Sequence, residues 1–111
     1  MTIQYKSTTF DLTTTNITTV LTCPSDATLL VKMVQASHES ASAVDVDVYI
    51  KKSGGSDVEI SHAELNKNFQ NMIVETLAME ASDELKVKAQ TADEITGVVS
   101  YAQLDRSQEN G

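Results

Sequence analysis

The chain has 111 residues, 16 Asp and Glu against 8 Lys and Arg, a formal net charge of −8, one Cys and one Pro. That length suits one domain with one modest core, and the acidic field repels phosphate backbones and anionic lipid surfaces, so neither nucleic acid nor membrane is expected as a partner. No apolar run approaches the roughly 20 residues that span a bilayer, the N-terminus lacks the apolar centre of a secretory signal, and a lone Cys excludes an intrachain disulfide framework; cytosolic synthesis is the default.

Ten threonines fall within the first 28 residues. Thr is β-branched, favouring extended backbone and disfavouring helix. Residues 1–15 read as an extended N-terminal arm, with a short strand around Ile3–Tyr5 or Phe10–Leu12. Ile17–Thr22 is a strand that ends at Cys23-Pro24, where Pro24 has no N–H to give a ladder. Ser25–Ala27 is a turn. Thr28–Ser37 is a strand with Leu30, Lys32, Val34 and Ala36 on one face and Leu29, Val31, Met33 and Gln35 on the other. Glu39–Ala43 is a turn.

Val44–Lys51 carries the clearest signal: Val44, Val46, Val48 and Ile50 alternate with Asp45, Asp47, Tyr49 and Lys51. Period two puts one set in the core and the other in solvent. Ser53-Gly54-Gly55-Ser56 supplies a hairpin, and Asp57–Ser61 returns with Val58 and Ile60 inward. His62–Asn71 fits neither period. Met72–Leu77 is a strand and Glu80–Asp83 a turn. Glu84–Gln90 alternates again, with Leu85, Val87 and Ala89 inward. Thr91–Glu94 turns, and Ile95–Leu104 closes the sheet.

The pattern predicts an all-β antiparallel sandwich of about seven strands with jelly-roll or Greek-key connections. Its organisation is an arm over 1–15, the sandwich over 16–105 and a frayed polar tail over 106–111.

Catalysis needs a nucleophile, a base and an orienter that converge. His38 and His62 both sit at polar strand ends and read as solvated loop histidines. Cys23 reads as a small buried filler. One Cys and two scattered His do not match zinc spacings. Asp45 and Asp47 share a strand face ~7 Å apart, and with Asp57 or Glu59 they would suit calcium. Lys51 and Lys52 stand close enough to neutralise them, which makes a solvated acidic face the plainer reading. Gly54-Gly55 joins two strands, not a strand and a helix, so it is no phosphate cradle. Asn16-Ile17-Thr18 matches a glycosylation acceptor only in form. No catalytic, cofactor-binding or metal-ligating set is expected, nor any cofactor, and an enzyme is not.

Four pieces stand in a telling order: TTVLTCPSDATLLVKMV (18–34), VDVDVYIKKSGGS (44–56), LAMEASDELKVKAQ (77–90) and TGVVSYAQLD (96–105). Together they resemble the layout of small virion structural proteins of tailed bacteriophages. The sequence departs from it at Cys23, where the family usually has Val, and at Glu80–Asp83, which lacks the usual turn Gly. The resemblance implies a non-enzymatic β-sandwich subunit of a phage particle, in head decoration, neck or tail. Expected partners are copies of itself, as a trimer or other cyclic oligomer, and neighbouring virion proteins. The expected location is the virion, after synthesis in the host cytoplasm. The Thr-rich arm is the expected contact element, by strand addition to another chain's sheet. The rival reading is a ligand-binding sandwich module for calcium or carbohydrate; a cupin-like enzyme comes third, for want of a His/Glu metal set.

Overall fold

Alternation in the sequence becomes pairing in the computed structural model, which describes residues 2–38, 44–65, 71–92 and 95–105. Among these residues eight strands form: β1 Thr2–Leu12, β2 Thr18–Thr22, β3 Ala27–His38, β4 Val44–Lys51, β5 Asp57–Leu65, β6 Asn71–Met79, β7 Glu84–Ala89 and β8 Ile95–Asp105. They make two four-stranded antiparallel sheets, in the orders β1-β8-β3-β6 and β2-β7-β4-β5. Only the β4–β5 hairpin joins neighbours in one sheet; every other connection passes to the opposite sheet. That order is the eight-stranded jelly roll.

The core lies between the sheets. Val44, Val46 and Val48 of β4 face inward beside Leu85, Val87 and Ala89 of β7, as expected. Opposite them lie Leu29, Val31, Val34, Ile95 and Val99. Gly97 of β8 pairs with Phe10 of β1, and the Phe10 ring covers it. A Cβ at Gly97 would collide with that ring and with the Gln35 carbonyl, so glycine is what lets the ring lie flat on the sheet.

Three readings of the sequence are corrected. The arm is strand β1: Thr2–Leu12 pairs with β8 from Thr2↔Asp105 to Leu12↔Ile95, with Phe10 and Leu12 in the core. The sandwich therefore starts at Thr2, and this is the eighth strand. The sequence does not show this strand because its partner lies far along the chain, at Ile95–Asp105. Next, β3 does not keep one inward face. Ala27, Leu29 and Val31 point in, then Val34, Ala36 and His38 do. A register shift between Val31 and Met33 leaves Lys32 as an extra residue and reverses the parity. Finally, β5 runs on to Leu65, taking in the first four residues of the segment that fits neither period. A shift between Val48 and Tyr49 leaves Ile60 unpaired and exposed, while Val58 keeps the inner-face position opposite Ile50 yet stays exposed at this edge of the sheet. Ser61, Ala63 and Leu65 take the inward places opposite Val48, Val46 and Val44. The expected turns over 39–43 and 93–94, and the tail over 106–111, lie outside the described residues.

One buried carboxylate holds the loops at one end of the sandwich. Asp83 is only 1% exposed. It accepts hydrogen bonds from Ser53 N (3.2 Å), Glu80 N (2.9 Å) and Lys52 Nζ. Its carbonyl accepts from Cys23 N at 2.9 Å, and Ser82 N donates to the Cys23 carbonyl at 3.0 Å. Three loops thus meet there. Ser82 stands at φ 67, the left-handed region that a turn Gly would otherwise occupy. Cys23 is buried as expected, its Sγ donating to the Ala27 carbonyl at 3.3 Å.

Burial pushes the Asp83 carboxyl upward in pKa, but the bonds from Lys52, Glu80 and Ser53 outweigh it and hold it below the ordinary aspartate value. A carboxyl with a depressed folded pKa adds stability above its unfolded pKa and loses it as pH falls through the folded one. Asp83→Ala removes the acceptor from two loop N–H groups and should cost on the order of 3 kcal/mol in urea unfolding at pH 7. In Asp83→Asn the share of acid sensitivity seen below about pH 4 should vanish from the same measurement. Gly97→Ala, through overpacking against Phe10, should cost about 1–3 kcal/mol.

Candidate functional site

The two sheets present different outer faces. On the β2-β7-β4-β5 sheet the outward positions of β4, β5 and β7 carry six carboxylates (Asp45, Asp47, Asp57, Glu59, Glu64, Glu84) against three lysines (Lys51, Lys86, Lys88) and His62. Register sets this pattern: side chains opposite each other on antiparallel strands share a face, so Asp47 lies between His62 of β5 and Lys88 of β7.

The candidate residues Asp45 and Asp47 do share this face, and His62 joins them. Its Nδ1 meets Asp47 Oδ1 directly, and its Nε2 stands 3.6 Å from Asp45 Oδ2. His62 is therefore a strand residue in an ion-pair network, not a loop histidine. The lysines expected to neutralise the pair do not. Lys51 pairs with Glu84 at 3.6 Å, and Lys52 turns to Asp83 and Glu80. Lys51 closes β4 on the outer face, and Lys52 lies one residue beyond it in the hairpin. Asp57 is held by Lys86 at 3.0 Å.

Asp47, Glu59 and His62 each bring one ligand atom within 4.8 Å of the others. This mixed nitrogen and oxygen set differs from the all-oxygen set that calcium takes and suits a transition metal better. A metal there must first displace the His62–Asp47 hydrogen bond. The sequence offers Glu59 as a partner of the two aspartates but not His62, because the alternation that marks β5 is legible only as far as Ser61.

His38 is corrected more sharply. It is 2% exposed, and its Nε2 lies 2.6 Å from the Leu65 carbonyl. The parity change at Lys32 is what carries His38 inward. It joins the ends of β3 and β5 across the two sheets.

The outer face of β1-β8-β3-β6 is different. Ile3 and Tyr5 of β1 lie opposite Leu104 and Ala102 of β8, and Leu30 of β3 lies opposite Ala102. Ser7, Thr9 and Ser100 continue it. Tyr5 is 81% exposed and Ile3 53%.

No protein-family model matches the chain, and no curated protein matches it in sequence. Among solved structures, a chain of the acidic stable capsid of Helicobacter pylori bacteriophage KHP30 is similar, with a TM-score of 0.60 and 9% identity over 96% of this chain and 90% of that one. A chain from the disulfide-linked pili of Bacillus endospore appendages gives 0.52 and 10% identity, covering 92% and 86%. A chain of the infectious bursal disease virus Gx strain gives 0.51 and 9% over 95% of this chain and 34% of that one. At these identities the likeness is one of fold.

The hydrogen bond with Asp47, then the charges of Asp47, Asp45 and Glu59, raise the His62 pKa above its ordinary 6.5. A raised folded pKa adds stability below the unfolded value and loses it as pH rises through the folded one. An NMR titration of the His62 ring should give a midpoint above 6.5 in the native chain, moving back toward it in Asp47→Asn.

Proposed function

We infer that the chain is a non-enzymatic structural subunit of a tailed-phage virion, in head decoration, neck or tail, that self-associates into a cyclic oligomer and contacts neighbouring virion proteins. One observation carries this reading: the jelly-roll order of strands spans the described chain end to end, and a phage capsid chain of nearly the same extent is similar to it in fold. The ordered pieces over 18–105 that resemble small virion proteins support it from the sequence side.

Jelly rolls also serve as lectin domains and cupins. A cupin-type enzyme needs polar ligands turned into the interior. Here the inward positions of β4 and β7 are Val44, Val46, Val48, Leu85, Val87 and Ala89, and His38 and Asp83 are the buried polar side chains among the described residues. Both of those make bonds that hold the frame together. For the ligand-binding alternative, the Asp45/Asp47 face is the candidate. Its carboxylates are already engaged by His62, and Asp57 by Lys86.

Mass spectrometry of particles purified from cells that carry the gene in its phage setting should find the chain at a fixed ratio to the major capsid or tail protein. Its absence from the particles would refute the reading. Calcium at millimolar concentration should leave the melting temperature within 1–2 °C of the metal-free value, since ligand linkage raises stability only when a site is filled. A saturable rise would favour the ligand-binding module.

A further inference from the structure

A sandwich of two open sheets has four edge strands, here β1 and β6 in one sheet and β2 and β5 in the other. An edge offers a row of unpaired N–H and C=O groups, and proteins that stay monomeric interrupt it with short strands, bulges, charge or Pro. Three of the four edges are interrupted. β2 has five residues and a register shift between Thr19 and Leu21. β5 is bulged at Ile60 and carries Asp57, Glu59 and Glu64. β6 has a register shift opposite Val34 and Gln35, and Thr76 within it stands at φ 57.

β1 has none of these. It runs eleven residues in unbroken register with β8, contains no Pro or Gly, and among the described residues no strand pairs with its other side. Its two charges, Lys6 and Asp11, cancel. In a chain of net charge −8, a neutral edge lets a second copy approach with less like-charge repulsion than the acidic β5 edge does. The β5 edge also exposes apolar groups, Val58 at 55% among them, but three carboxylates on that strand oppose a partner of the same charge. The exposed Ile3 and Tyr5 stand on the outward face of β1, where an added strand would bring them cross-strand neighbours.

We propose that the outer edge of β1 is the self-association surface of this protein, and that its occupant is the β1 strand of a second copy, paired antiparallel about a two-fold axis normal to the sheet. The two four-stranded sheets then form one continuous eight-stranded sheet. Such an axis keeps outward residues outward, so Tyr5 and Ile3 of each copy meet outward side chains of the other. The contact is isologous and closes at two copies. This rests on the virion-subunit reading for its purpose, and on the four edges for its place.

Sedimentation velocity over 1–100 µM tests it on the full chain. The native chain should run as a dimer at the upper concentrations. Ile3→Lys with Tyr5→Lys should run as a monomer, with its dissociation constant raised at least tenfold; at dilutions where the native chain is also monomeric the two should melt alike, because both side chains are exposed. Single cysteines introduced at Tyr5, Ser7 and Thr9 in turn locate the axis. On oxidation, the position nearest it should give a disulfide-linked dimer, whereas a cysteine at Val58 on β5 should not. A native chain that is monomeric throughout, a trimer, a double variant that still dimerises, or linkage through Val58 alone would each overturn the proposal. Particle incorporation is scored separately. A native chain found in particles but monomeric in solution overturns this inference and leaves the virion reading standing; a dimer absent from particles does the reverse.

Discussion

Each strand of this sandwich has two faces, and the space between the sheets accepts only one of them. The aliphatic row Val44–Val46–Val48 and its neighbours Leu85, Val87 and Ala89 satisfy that constraint with strict alternation. Two of the strands, β3 and β5, satisfy it by inserting a residue. Lys32 in β3 and Ile60 in β5 are such insertions, and each reverses which side chains turn inward. The placement of His38 in the core and of His62 beside two aspartates follows from where parity changes. A bulge here acts as a switch of address for every residue downstream in its strand.

That dependence explains what could be read from the residues and what could not. β4 and β7 were legible because they alternate without interruption, and the Ser53–Ser56 hairpin because Gly54 adopts the positive φ its turn needs. The jelly-roll class followed from many short strands and no helical period. The bulges were not legible. Lys32 between Val31 and Met33 looks like an ordinary outward residue until its partners on β8 are known. β1 was unreadable as a sheet member for another reason. Its N-terminal half is polar except for Ile3 and Tyr5, and it gains strand character only by pairing with residues at the other end of the chain. The acidic face was located correctly and its neutralising partners wrongly, since a choice between Lys51, Lys52 and His62 depends on register and not on nearness in sequence.

Two polar devices complement the apolar core. Asp83 draws the β4–β5 hairpin, the β6–β7 turn and the end of β2 to one point. Elsewhere, Ser61 Oγ donates to the Ile73 carbonyl at 2.8 Å, stitching β5 of one sheet to β6 of the other. Both fasten places where hydrophobic packing alone is thin, a loop cluster and an edge seam.

The position of β8 bears on how the chain acquires its structure. Of the eight described strands it leaves the ribosome last, yet it lies inside its sheet, between β1 and β3. Until it arrives, β1 and β3 have no common neighbour, and one layer of the sandwich stays open while the other can assemble. Pairings so distant along the chain make folding slow, because the entropy of closing long loops is lost before the contacts form. During that interval β1 is available to the wrong strand as well as the right one. Before Phe10 its apolar side chains are Ile3 and Tyr5, so an unpartnered β1 offers a wrong partner little hydrophobic surface, and the composition of the first described strand suits the late arrival of β8.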